Sequence, residues 1–174
     1  MSVNATSKAA FLATRMAGRA SPLFLRDAEL ERALELLLLA ERGLAARSAA
    51  ALRAARLDER DLDILWLLRR RPGITAHELA SLLSLPKQSV SRHLRALEAG
   101  GLVLRGEHGT DRRRRVLRLS ERGASLVESL AEPRKRGLRR AFQSAGAEAV
   151  AGFERVLGEL AHSASPRLEE PAKG

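Results

Sequence analysis

At Gly100-Gly101 the apolar spacing of this chain switches from a three-to-four-residue period to a two-residue one, and few architectures accommodate that switch. Upstream, Val90, Leu94 and Leu97 recur at helical steps. Downstream, Leu102-Val103-Leu104 and Val116-Leu117-Arg118-Leu119 have the character of two short strands around an arginine-rich loop. The paired glycines are the expected stop for the helix, because a C′ residue commonly adopts a left-handed backbone. A helix delivered directly into a β-hairpin is thus the first constraint on the fold.

A second helix precedes this one. Thr75-Ala76-His77-Glu78 is a capping box, with Thr75 at the N-cap and Glu78 three residues on, opening a helix through Leu79, Leu82 and Leu83. Ser84-Leu85-Pro86 breaks it and starts the next. Further back, Asp58 is a good N-cap for a buried helix containing Leu62, Ile64, Leu65, Trp66 and Leu68, which ends at Arg71-Pro72-Gly73. Helix, short turn, helix and hairpin is the order of a winged helix-turn-helix.

Long helical segments flank this block. From Asp27 to about Arg56, Leu30, Leu34, Leu37, Leu38, Leu44 and Leu52 recur among Glu and Arg. Beyond the hairpin, Ser120 is an N-cap for a helix with Leu126, Val127 and Leu130, and Pro133 marks a kink or joint. A last helix, about Ala147 to His162, places Val150, Phe153, Val156, Leu157 and Leu160 on one face. Leu30, Leu34, Leu37 and Leu38, with Phe153, Val156, Leu157 and Leu160, are the expected dimerisation surface. The expected organisation is a basic arm (1–26), a long dimerisation or core helix (27–57), a winged domain (58–123), C-terminal dimerisation helices (124–164) and a disordered tail (165–174). The fold class is mainly α with a small β-hairpin wing.

Charge narrows the function. The 174 residues bear 31 Lys and Arg against 21 Asp and Glu, a formal +10, which favours a polyanionic partner. Between Ser84 and Arg118 lie nine basic residues and three acidic ones. Four of the nine are the run Arg112–Arg115. Positive charge that dense repels itself unless an anion offsets it. On the helix from Pro86, removing the inner stripe leaves Lys87, Gln88, Ser89, Ser91, Arg92 and Arg95 outward. Gln pairs bidentately with adenine and Arg with guanine, while Ser serves bases or phosphates. A second basic stretch, Arg134-Lys135-Arg136-Gly137-Leu138-Arg139-Arg140, is expected to be a solvated helix or hinge.

Other chemistries find little support. The chain has no cysteine, so disulfides, zinc–cysteine sites and thiol sensing are excluded. His77, His93, His108 and His162 supply no ligand pair on one helical turn, so no metal site or cofactor is expected; His77 is expected on a helix surface and His93 at the flank of the recognition helix. No G-x-S-x-G, P-loop or G-x-G-x-x-G is present, and no enzymatic activity is expected. No apolar run approaches the length of a membrane span, and Leu36–Ala40 is closed by Glu35 and Glu41, so no membrane partner is expected, and the expected location is cytoplasmic, on the nucleoid. Trp66 is read as core.

The block from Leu57 to Gly123 resembles the MarR family of bacterial winged-helix regulators. The resemblance rests on Gly73-Ile74-Thr75, Glu78-Leu79-Ala80, Lys87-Gln88-Ser89-Val90-Ser91-Arg92, Leu97-Glu98-Ala99-Gly100-Gly101-Leu102-Val103, Asp111-Arg112-Arg113 and Leu119-Ser120-Glu121-Arg122-Gly123. Leu23-Phe24-Leu25-Arg26-Asp27 and Lys87-Gln88-Ser89 are similar to a PetP-like subgroup. The resemblance implies a homodimeric transcriptional regulator of double-stranded DNA, most simply a repressor on a pseudo-palindromic operator, with a small-molecule effector between the dimer helices and the winged domain. It implies that Lys87, Gln88, Ser89, Ser91 and Arg92 reach bases and phosphates, and that Arg113 enters the minor groove, oriented by Asp111. Arg112 and Arg114 then meet phosphates, Arg115 belongs to the returning strand, and Thr75 and Arg95 complete the candidate DNA-contacting set. The alternatives are a nonspecific nucleoid-type DNA binder, since charge alone gives salt-sensitive binding to any duplex, and a winged-helix module for protein or RNA.

Overall fold

The computed structural model describes residues 26–108 and 111–164. Eight elements follow in order: α1 (Asp27–Ala54), α2 (Glu59–Arg70), α3 (Ala76–Leu82), α4 (Lys87–Ala99), β1 (Val103–His108), β2 (Asp111–Leu119), α5 (Glu121–Ala145) and α6 (Ala147–Ala164). The mainly helical class with one hairpin is the one expected. Two compact units divide between Leu44 and Ala45, inside α1. The arm 1–25 and the tail 165–174 lie outside the described residues.

The local signals act where the sequence places them. Asp58 caps α2 in a full capping box: its Oδ1 accepts the Asp61 N–H at 2.9 Å, and Asp61 Oδ2 accepts the Asp58 N–H at 3.0 Å. Thr75 and Glu78 do the same for α3, at 3.2 and 2.8 Å. Gly101 takes φ +68°, a backbone that side chains with a Cβ resist. The turn between α3 and α4 instead holds Ser84 at φ +51°. That left-handed residue costs about 1 kcal/mol or more without glycine, so Ser84→Gly should raise the urea midpoint, corresponding to a gain of up to about 1 kcal/mol in stability. An unchanged or lowered midpoint would show that the serine offsets its own strain.

One apolar cluster holds the winged domain together. Ile64, Leu65, Leu68, Leu79, Leu94, Leu97, Leu117, Val127 and Leu130 are all almost wholly buried, each contributing roughly 1.5–3 kcal/mol. It joins α2, α3, α4, the base of the wing and the first turns of α5. Trp66 is partly buried against it, as its apolar neighbours imply. The wing is also stitched to the α2–α3 connection: the Gly73 N–H donates to the Leu117 carbonyl at 3.1 Å, and the Leu117 N–H donates to the Ile74 carbonyl at 2.9 Å.

Two expectations need correction. The strands are longer than their apolar residues. The ladder pairs Val103 with Leu119 through Glu107 with Arg115, and after an irregularity His108 with Asp111. Arg112, Arg113 and Arg114 therefore stand on β2 and not in a loop, joining Arg115, which was expected there. Backbone pairing needs no apolar side chain, so the ladder outruns the core-facing pattern. Pro133 also does not divide the chain, because α5 runs through it as one helix of 25 residues. Proline removes one amide donor, but Arg134, directly after it, is anchored to Ser48 of α1 and Glu59 of α2. The segment 134–140 is thus neither a hinge nor uniformly solvated.

Candidate nucleic-acid interface

The α4 helix presents two unlike faces. Val90, Leu94 and Leu97 are buried at 1%, 0% and 1% exposure. Lys87, Gln88, Arg92 and Arg95 are exposed, and Ser89 and Ser91 half-buried. No side chain caps its N-terminus, where Pro86 stands, so the first amides are open to an anion. Arg95 Nε donates to the Ser91 carbonyl at 3.3 Å, which lays that side chain back along its own helix.

The hairpin is braced against the same helix. Arg105 of β1 pairs with Glu98 near the C-terminus of α4. This removes Arg105 from the pool of free cations and makes it a strut. The Ser120 hydroxyl donates to the Gly101 carbonyl at 2.7 Å and accepts the Gly123 N–H at 2.9 Å, capping α5 while holding the start of β1. Arg115 and Arg118 are exposed on β2. The backbone of Asp111, Arg112, Arg113 and Arg114 forms the tip-proximal half of β2, but their side chains lie outside the described residues. Thr75 is half-buried, and its hydroxyl is engaged with Glu78, donating to Oε2 at 2.8 Å.

Several partnerships were not legible beforehand. His93 stands at the flank of α4, half-buried, and its Nδ1–H donates to Asp61 Oδ1 at 2.8 Å, both side chains being nearly 90% covered. Asp58, Asp61 and His93 place possible ligand atoms within 4.8 Å of one another, but the capping box and this hydrogen bond already occupy both Asp61 oxygens and His93 Nδ1. His77 is exposed, as a helix-surface residue should be. Arg134 Nε donates to the buried Ser48 Oγ at 2.8 Å, and its guanidinium also pairs with Glu59. Glu128 pairs with both Arg69 and Lys135. The hydrogen bond from Lys135, aided by the Arg69 charge, holds the Glu128 carboxyl below the usual carboxylate range. Lys135 Nζ also lies 5.9 Å from the Trp66 ring centroid.

Two apolar surfaces remain open. In the first unit Leu30, Leu34, Leu37 and Leu38 are 45%, 66%, 40% and 52% exposed, and Leu36 and Leu39 join them. On α6, Phe153, Val156, Leu157 and Leu160 are likewise exposed. Phe153 meets Phe142 of α5 edge to face at 5.7 Å. An open groove of about 550 Å³ runs along α5, lined by Lys135, Leu138, Arg139, Phe142 and Gln143. No helix among the described residues is long and apolar enough to cross a membrane.

Comparison with known proteins matches this geometry. A model of the MarR family matches residues 56–114. The HTH-type transcriptional regulator PetP of Rhodobacter capsulatus is 36% identical over 145 residues, which cover 83% of this chain and 87% of that protein. Among solved structures, NadR in complex with 4-hydroxyphenylacetate superposes with a TM-score of 0.65 at 26% identity, covering 76% of this chain and 91% of NadR. A MarR family protein from Bacillus stearothermophilus gives 0.63 at 24% identity, covering 80% and 97% respectively.

Proposed function

Because the chain belongs to the MarR family, whose members are transcriptional regulators rather than enzymes, we propose that it is a sequence-specific repressor of double-stranded DNA, acting as a homodimer on a pseudo-palindromic operator. The observation that carries this reading is the exposed row Lys87, Gln88 and Arg92 on a helix whose opposite face is locked into the core. Such a helix can enter a major groove without loosening the domain. The wing adds Arg113 to the adjacent minor groove, with Asp111 orienting it and Arg112 and Arg114 on phosphates. A narrow A·T-rich groove concentrates the negative potential that draws an arginine in. In a two-fold dimer the recognition helices would lie one DNA turn apart, roughly 34 Å, and an occupied promoter would exclude polymerase.

The groove along α5 supports an effector. Lys135, Arg139 and Phe142 are among its lining residues, which suits an aromatic carboxylate, and NadR is solved with 4-hydroxyphenylacetate. Such a ligand would shift the long helices and so release DNA.

Affinity for the region upstream of the protein's own gene, measured against scrambled competitor across a salt series, tests the main reading. Specific binders normally exceed nonspecific binding by about 10³ or more. A ratio below about tenfold at every salt concentration would instead support the nucleoid-type alternative. Gln88→Ala should relax preference at one base step, about 1–3 kcal/mol of discrimination, with little change in nonspecific affinity; recovery of the same motif by in vitro selection would contradict it. Arg113→Ala should weaken operator binding about tenfold or more, since one lost base-proximal contact costs about 1–3 kcal/mol, while light scattering still reports the dimer. Equal gel-shift affinity would remove Arg113 from the interface.

A further inference from the structure

We infer that His93 is a positioning residue for base reading: its hydrogen bond to Asp61 sets the roll of α4 against the first turn of α2. This rests on the assignment of α4 as the DNA-reading helix. Val90, Leu94 and Leu97 hold α4 by apolar contact, which has no preferred direction and so sets the roll of the helix less sharply than a hydrogen bond. A hydrogen bond weakens steeply as its angle closes. His93 follows Arg92 directly and supplies that directional contact from the border between the buried and outward faces. With side chains included, a helix has a radius of about 5–6 Å, so a roll of about 10° moves an outward side chain by about 1 Å. Recognition constellations tolerate only about 0.5 Å of such displacement.

The acceptor is itself immobilised. Asp61 Oδ2 holds the Asp58 N–H, and the Asp61 N–H is held by Asp58 Oδ1, so the carboxylate cannot swing to follow a rotating helix. The same turn is gripped from the other side. Glu59 pairs with Arg134 of α5, and Arg134 Nε donates to Ser48 of α1. Residues 58–61 thus connect the recognition helix on one side with α5 and the C-terminal half of α1 on the other. A displacement of either long helix reaches α4 through a single helical turn.

The test uses a duplex selected from a random pool by the unaltered protein, and a scrambled duplex of the same length. Affinities by fluorescence anisotropy are compared for His93→Leu, His93→Asn and the double variant Asp61→Leu/His93→Leu. Leucine at 93 alone strands a buried carboxylate and risks misfolding; the double variant removes the charge as well, and asparagine keeps an N–H near the position of Nδ1. The expected result is a fall of at least tenfold in the selected-to-scrambled ratio for the leucine variants. Scrambled-duplex affinity should stay within twofold, and the ratio for His93→Asn within threefold of the unaltered protein. A folded double variant that keeps the full ratio overturns the inference, as does equal loss in His93→Asn and His93→Leu. If the unaltered protein selects no sequence, the regulator reading fails instead, and amide hydrogen exchange without DNA decides the inference. Amides of residues 87–99 should then exchange at least tenfold faster in the double variant while β1 and β2 are unchanged, and equal protection overturns it.

Discussion

Gly123→Ala should destabilise the winged domain by about 3 kcal/mol, the upper end of what overpacking costs, although alanine is the better helix former. A Cβ at 123 would collide with the carbonyl oxygen of Leu102, and it would also crowd that residue's carbonyl carbon and Cα. None of these atoms belongs to a flexible side chain. The Leu102 carbonyl also accepts the Ser120 N–H at 3.0 Å, and Leu102 and Val103 are buried at 5% and 2% exposure. Relief therefore means lifting the first turn of α5 from the base of β1 and tilting the wing against α4. Gly43→Ala is the matched control. Its Cβ would meet nothing within 4 Å, so helix propensity alone should stabilise α1 by about 0.5–1 kcal/mol. Urea unfolding of both variants reads the two signs. A Gly123→Ala midpoint within error of the parent would mean that the close approach relaxes without cost.

Leu34→Glu combined with Val156→Glu should convert the protein to monomers and lower operator affinity by about 100-fold or more. These are the most exposed members of the two candidate dimerisation rows, 66% and 60%, so neither glutamate disturbs the core of its own protomer. At an interface each would bury an unpaired charge, which costs several kcal/mol. Linking two half-site readers raises avidity by about 10²–10⁴, and a monomer forfeits that gain. Affinity for a single half-site duplex should barely change, because Lys87, Gln88 and Arg92 are untouched. Sedimentation at the dimer mass, with unchanged operator affinity, would remove these rows from the assembly.

Much of the fold was legible in advance because its signals are local. The Asp58 N-cap, the Thr75–Glu78 capping box, the glycine stop after α4 and the inner stripe Val90, Leu94 and Leu97 each involve residues within about one or two turns. The outward row on α4 follows from the same periodicity. Where the local signal was incomplete, the reading stopped short. Arginines gave no strand pattern, so β2 was expected to begin at Arg115 and not at Asp111. Pro133 was expected to mark a kink or a joint because its own residue lacks an amide donor; the joint is absent, and the contacts of Arg134 beside it lie on other helices.

The helix-turn-helix order, the basic outward face of α4, the hairpin that follows it and the resemblance to the MarR family were determined by the sequence alone, since each depends on residue type and spacing along the chain. Tertiary structure decided what those parts are fastened to. His93 finds Asp61 across 32 residues, Arg134 finds Glu59 across 75 and Ser48 across 86. Gly123 is required by a backbone oxygen of Leu102, and Arg105 is a strut because Glu98 lies beside it. A charged or small residue looks the same in sequence whether it faces solvent, a phosphate or another helix. Only the packing of the apolar cluster, which sets where each helix lies, chooses among them.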